Sequence, residues 1–180
     1  MPTLRIADIN ENEPHFITLT VIEWINIFTK KRYFDSIINS LKFCQNKKGL
    51  QIYEFVLMTN HLHMIIQVKK PNNLSSVIRD FKQFTTNEIM RLLENDNRKH
   101  ILSLLNKSFY KKAGTIKQIW QRDNYPEVIQ TEKFYNNKVE YIHHNPVKAG
   151  YVEKPEDWLY SSARNMYLND DSILAVDRFH

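Results

Sequence analysis

Apolar positions along the chain alternate between strand-like runs and helical spacing. HFITLTVIEW (residues 15–24) is β-branched and aromatic and reads as a strand. From Tyr33 to Lys47, the residues Phe34, Ile37, Ile38, Leu41 and Cys44 recur every three or four positions, which predicts a helix. Gly49 stands where its C-cap would fall. LQIYEFVLM (50–58) and HLHMIIQV (61–68) read as an antiparallel hairpin broken at Thr59 and Asn60. After the polar turn KKPNN, Leu74, Val77, Ile78, Phe81, Phe84, Ile89 and Leu92 mark a long helix with Asn73 as N-cap. Residues 94–118 are charged and weakly periodic, with a short helix around Ile101–Leu105, and read as a variable insert. YPEVIQT (125–131) predicts a fourth strand. A helix from about Glu132 to Asn145 is expected to stop at Pro146, and a short helix follows near Ser161–Leu168.

The order β-α-β-β-α-β-α predicts an α+β fold of the ferredoxin-like (RRM-like) kind, an antiparallel sheet with helices on one face and one more helix at the C-terminal side. With 180 residues, no internal repeat and no low-complexity linker, a single domain spanning 1–180 is expected, with 1–14 as a polar N-terminal arm. Composition narrows the class further. No run approaches the roughly 18 apolar residues of a membrane span, and the N-terminus lacks the apolar core of a secretory signal. A single cysteine, Cys44, cannot form an internal disulfide, so a cytoplasmic setting is the default expectation. The formal charge of +5 is compatible with a polyanionic partner without requiring one.

Three segments carry candidate chemistry. On a strand, side chains alternate, so His61 and His63 share one face with Ile65 while Leu62, Met64 and Ile66 share the other. Two imidazoles at that spacing can reach one divalent ion. The plain alternative is a histidine pair on a solvated face, although polar groups on so apolar a strand need a reason. In VEYIHHNPVKAGYV (139–152), Tyr141 and Asn145 lie one helical turn apart and present one face. A tyrosine is a covalent nucleophile once a metal or base assists it, and the carboxamide could ligate. Nine tyrosines compete for that role, so spacing alone does not select Tyr141. Finally, Trp120, Arg122 and Tyr125, with Lys111, Lys112 and Lys117 upstream, interleave aromatic rings with cations, a pattern that suits single-stranded nucleic acid. A solvated basic loop followed by core aromatics fits that stretch equally well. A Gly-rich phosphate loop, a Cys-rich zinc site and a G-x-S-x-G elbow are all missing from the sequence.

Taken in order, NHLHMII (60–66) resembles the His-hydrophobic-His signature of single-tyrosine transposases. IWQRDNYPEVI, YIHHNPVKAGYV and PEDWLYSSA resemble the C-terminal half of the REP-associated tyrosine transposases within that superfamily. The resemblance runs from about His15 to Ser162. It implies a metal held by His61 and His63, completed by Asn145, and Tyr141 as nucleophile. It implies Mg²⁺ or Mn²⁺ as the ion and single-stranded or hairpin DNA as the partner. The implied reaction is strand cleavage and rejoining through a 5′-phosphotyrosine link, and both a homodimer and a monomer agree with it. The sequence departs from the pattern at Tyr125-Pro126, where many relatives carry Tyr-His, and at the 94–118 insert. Two readings from other classes stand beside this one. One is a non-catalytic nucleic-acid-binding domain, although the strands lack the aromatic signature of an RRM platform. The other is a metal-dependent nuclease that uses water.

Overall fold

The computed structural model describes residues 13–111 and 118–179, with backbone only at 109–111. The expected arm therefore lies almost wholly outside the described residues, as do Lys112 and Lys117. Strand β1 (His15–Thr20) is followed by a 3₁₀ turn (Ile22–Trp24), then α1 (Lys31–Lys48), β2 (Leu50–Leu57) and β3 (His61–Val68). Next come α2 (Leu74–Asn95), α3 (Lys99–Lys111), β4 (Glu127–Val128), α4 (Glu132–Lys148), a 3₁₀ turn (Pro155–Asp157) and α5 (Ala163–Leu168). The sheet runs β2-β3-β1-β4 with antiparallel pairings, the split βαβ arrangement expected from the element order.

Local chemistry places the helix ends. Asn73 caps α2 with its side-chain oxygen accepting from Ser76 N–H at 2.8 Å, and Thr131 caps α4 through Phe134 N–H at 3.1 Å. Gly49 ends α1 at φ +66° with its N–H on the Cys44 carbonyl. A Cβ there would also meet the Lys69 carbonyl at 3.2 Å, so both the dihedral and the packing call for glycine.

The sheet buries both faces. On one side Ile17, Leu19, Leu62, Met64 and Ile66 pack with Phe34, Ile37 and Leu41 of α1 and Val77, Ile78 and Phe81 of α2. On the other, Phe16, Tyr53, Val56 and Ile65 meet Val139 and Ile142 of α4. Strand alternation thus divides β3 as its pattern predicts, with Ile65 on the α4 side. In β2 a bulge between Ile52 and Glu54 breaks the alternation, so Tyr53 joins the α4-side cluster and Glu54 also turns toward α4. Strict alternation would have sent Glu54 into the apolar layer with Leu50 and Ile52. The outer edge of β2 is covered by chain from the C-terminal region, with Ser162 N–H on the Phe55 carbonyl and Asp177 N–H on the Ile52 carbonyl.

Four expectations change. The first strand ends at Thr20; Val21 is still extended and bridges to Trp120, and Ile22–Trp24 turn instead of extending. Pro146 does not stop α4, which continues to Lys148. A proline in the last turn forfeits one bond, to the Ile142 carbonyl, while Ala149 N–H still closes on Asn145. The fourth strand shrinks to Glu127–Val128, because Tyr125 sits at φ +42° and Pro126 has no N–H to pair. The 94–118 stretch holds a full helix, α3, whose Ile101 and Leu105 are buried in the main core.

Candidate functional site

The α4-facing side of the sheet brings the two histidines and the late helix together. In the β1–β3 ladder, His61 stands opposite Thr20 and His63 opposite Thr18. The imidazole centroids lie 4.6 Å apart. Tyr141 on α4 points its hydroxyl at His63 Nε2, 3.4 Å away, and Asn145 one turn later places Oδ1 3.2 Å from His61 Nε2. The four residues singled out in the sequence as ligands and nucleophile therefore form one cluster. Tyr141 remains 40% exposed, so a substrate backbone can reach it. Phe16 floors the site, stacked on His63 and edge-on to Tyr141, and the Lys138 ammonium lies 4.1 Å over the Phe16 ring.

Hydrogen bonds behind the imidazoles aim them. Asn60 donates its Nδ2–H to the Trp24 carbonyl at 3.1 Å, which turns its side-chain oxygen toward His61 Nδ1 at 2.7 Å. An oxygen at Nδ1 accepts a hydrogen bond from the His61 tautomer in which Nε2 is the nitrogen free to ligate a metal. His63 Nδ1 is held by the Thr18 hydroxyl at 2.8 Å. Burial pushes the His63 imidazole down to about 3, with the neighbouring His61 and the Lys138 ammonium adding to it. Burial also lowers His61, against a smaller opposing effect of the Asn145 hydrogen bond. Both rings are thus neutral at pH 7, the form that ligates a metal. Among the described residues no group of three or more His, Cys, Asp and Glu side chains converges, and the Asn145 carboxamide oxygen stands beside the histidine pair at His61.

A second set of polar residues was not singled out in the sequence. His143, fully buried on α4, meets the Glu54 carboxylate at 2.8 Å and Ser162 Oγ at 3.1 Å. Ser162 donates to the same carboxylate, and the Tyr135 hydroxyl reaches its other oxygen at 3.3 Å. This network ties the helix bearing Tyr141 and Asn145 to β2. Its sequence signal was a lone glutamate inside an apolar strand, and only the bulge turns that glutamate toward His143.

The basic–aromatic segment is corrected in part. Trp120 is 2% exposed, packs with Phe28 and Phe81, and donates its indole N–H to Thr85 at 2.8 Å. It is a core residue and offers no face to a base. Arg122 is exposed and lines an open groove with Arg79 and Lys82 between α2 and residues 118–124. Lys82 donates to the Gln121 and Arg122 carbonyls, and burial brings its ammonium down to about 8. Lys111 ends α3, and its side chain lies outside the described residues. No described helix is long and apolar enough to cross a membrane.

Comparison with known proteins supplies a family. Residues 11–145 match the family described as IS200-like transposase. A Haemophilus influenzae protein named as a REP-associated tyrosine transposase is 29% identical over 138 residues, covering 73% of this chain and 72% of its own length. The REP-associated tyrosine transposase of Escherichia coli K12 is 37% identical over 68 residues, 35% of this chain and 41% of that protein. Among solved structures, a REP-associated tyrosine transposase bound to a REP hairpin superimposes with a TM-score of 0.62 at 20% identity, covering 100% of this chain and 89% of the other.

Proposed function

The chain belongs to the family of IS200-like transposases, and from that premise we propose that it cuts and rejoins single-stranded DNA with Tyr141 as nucleophile. The observation that carries the reading is the convergence of Tyr141 and Asn145, one turn apart on α4, on the paired imidazoles of β3. The donor set suits a divalent ion. His61 Nε2 and Asn145 Oδ1 lie 3.2 Å apart, close enough for one cation to be shared between them. Mg²⁺ or Mn²⁺ held by His61, His63 and Asn145 would polarise the scissile phosphate and offset charge developing on it. Two imidazoles favour Mn²⁺ over the harder Mg²⁺.

The chain's own residues then do the following. Tyr141 oxygen bonds to phosphorus as its proton leaves, and the bond from phosphorus to the 3′-oxygen breaks. That oxygen takes up a proton and departs as a free 3′-hydroxyl, leaving a 5′-phosphotyrosine. Attack by a 3′-hydroxyl reverses the exchange and restores tyrosine, so no nucleotide cofactor is needed. Phe16 and the Lys138 stem shield the His63 side from water. Hairpin DNA with a single-stranded flank is the substrate this reading favours, because the nucleophile must reach an unpaired backbone. The solved relative bound to a REP hairpin supports that choice.

The experiment is adduct trapping. Purified protein with Mn²⁺ and a hairpin oligonucleotide from repeats flanking its gene should give a denaturant-stable protein–DNA band. Tyr141→Phe keeps the ring and should bind DNA and Mn²⁺ normally yet form no adduct. An adduct with folded Tyr141→Phe would show that another tyrosine attacks. Cleavage without an adduct would show that water does.

A further inference from the structure

Beside the histidine pair lies an aromatic residue that the reaction above does not use. Trp24 is 59% exposed, and its indole centroid lies 6.0 Å from that of His61. The turn presenting it is strained, with Glu23 at φ +51° and Trp24 at φ +55°, neither a glycine. Adjacent left-handed residues persist only where the surroundings hold them. Here Ile22 is buried with its N–H on the Ile119 carbonyl, Val21 N–H bonds the Asn60 carbonyl, and the Asn60 amide holds the Trp24 carbonyl. Asn60 therefore holds both the Trp24 backbone and the His61 ring. A relaxed turn could bury so large an apolar ring; this one is fastened so that the ring stays out.

The order of the rings gives the exposure a direction. Trp24 follows Thr20, the partner of His61, whereas Tyr141 packs on Phe16, the partner of Ile65, at the far end of the same ladder. Indole and phenol thus flank the histidine pair from opposite sides. In phosphoryl transfer the attacking and leaving oxygens lie roughly in line across the phosphorus. With Tyr141 attacking from one side, the leaving 3′-oxygen and its nucleotide lie on the other, over Trp24. We propose that Trp24 is a stacking site for the nucleobase whose 3′-hydroxyl is released, holding the cut strand in place for rejoining. The ligand class is any base, because stacking uses the π-face that all bases share. This inference rests on the tyrosine-nuclease reading.

The test uses the full chain with Mn²⁺ and the hairpin oligonucleotide, with 2-aminopurine at the nucleotide 5′ of the wild-type cut. In the wild type its fluorescence should be quenched on binding. Trp24→Ala should still form the Tyr141 adduct and bind Mn²⁺ as before, but lose the quench, weaken apparent DNA affinity about 10-fold and rejoin less of the cut strand. Trp24→Phe, which still stacks, should recover most of both effects. An equal loss in Trp24→Phe would make the role structural and overturn the proposal, and so would an unchanged quench and rejoining yield in Trp24→Ala. A change in oligomeric state in place of a DNA effect would assign the indole to a contact between copies and overturn it too. Absence of any adduct with the wild type sinks the nuclease reading itself, whereas a wild-type adduct with an indifferent Trp24→Ala sinks this proposal alone.

Discussion

Replacing His143 by phenylalanine tests whether the buried polar bridge sets the position of α4. Phenylalanine keeps a ring beside Tyr167, which now meets His143 edge-on at 5.6 Å, and removes the nitrogen that faces Glu54. The carboxylate accepts from His143, Ser162 and Tyr135 at 2.8, 2.5 and 3.3 Å, and Glu54 is only 8% exposed, so water cannot readily replace a lost donor. A hydrogen bond to a charged group contributes roughly 1.5–3 kcal/mol. Two donors remain, so the cost stays below the roughly 3–5 kcal/mol of stripping a buried ion of its only partner. About 2–3 kcal/mol is therefore expected, a fall in Tm of roughly 4–12 °C for a chain of this size. The catalytic cost should be larger in proportion. Tyr141 and Asn145 ride on the same helix, and misplacing a reacting group by about 1 Å costs on the order of 10²-fold. Thermal melts report the first effect and adduct yield per folded molecule the second. Combining His143→Phe with Glu54→Leu removes the charge together with its donor, so the double variant should be at least about 1 kcal/mol more stable than additivity allows. Additive effects, with a Tm shift for His143→Phe within about 1 °C of zero, would refute the bridge as a structural tie.

Two further outcomes follow from the same geometry. Thr18→Val removes the hydroxyl that holds His63 Nδ1 at 2.8 Å; Mn²⁺ affinity by calorimetry should fall roughly 10–100-fold with the fold intact, and an unchanged affinity would show that Thr18 does not orient the ring. Because His63 titrates at about 3 in the native state and near its ordinary 6.5 when unfolded, the unfolded chain binds more protons below pH 6.5. Its contribution to stability is complete above pH 6.5 and is lost as pH falls toward 3, so Tm should drop more steeply over that window in the wild type than in His63→Asn; equal slopes would contradict the burial argument.

The sequence by itself determined what depends on short-range periodicity and on residue type. Alternation on β3 put His61, His63 and Ile65 on one face because the pleat has a period of two, and nothing in that strand disturbs it. The i, i+4 spacing placed Tyr141 and Asn145 together because α4 is regular there. Asn73 and Gly49 announced helix ends because capping is a local exchange of hydrogen bonds. The His-x-His, Tyr-Ile-His and Trp-Gln-Arg segments, read in order, pointed to the transposase family.

Tertiary structure alone decided the rest, and each case has a physical cause. Whether Trp120 stacks on bases or fills the core depends on what lies across from it; Phe28, Phe81 and the Thr85 hydroxyl enclosed it. Pro146 breaks a helix on average, yet in a last turn it forfeits only one bond, and packing carried α4 two residues further. Tyr125 and Pro126 cut the fourth strand short through a left-handed dihedral that a propensity reading does not register. The bulge in β2 shifted Glu54 by one face, and a one-residue register change is invisible in a composition of alternating side chains. That shift made the Glu54–His143–Ser162 bridge, which joins residues far apart in the chain. Trp24 looked like the end of a strand in the sequence. Its exposure beside His61 arises from a turn held by Asn60 and Ile22, contacts that exist only once β1 and β3 are paired.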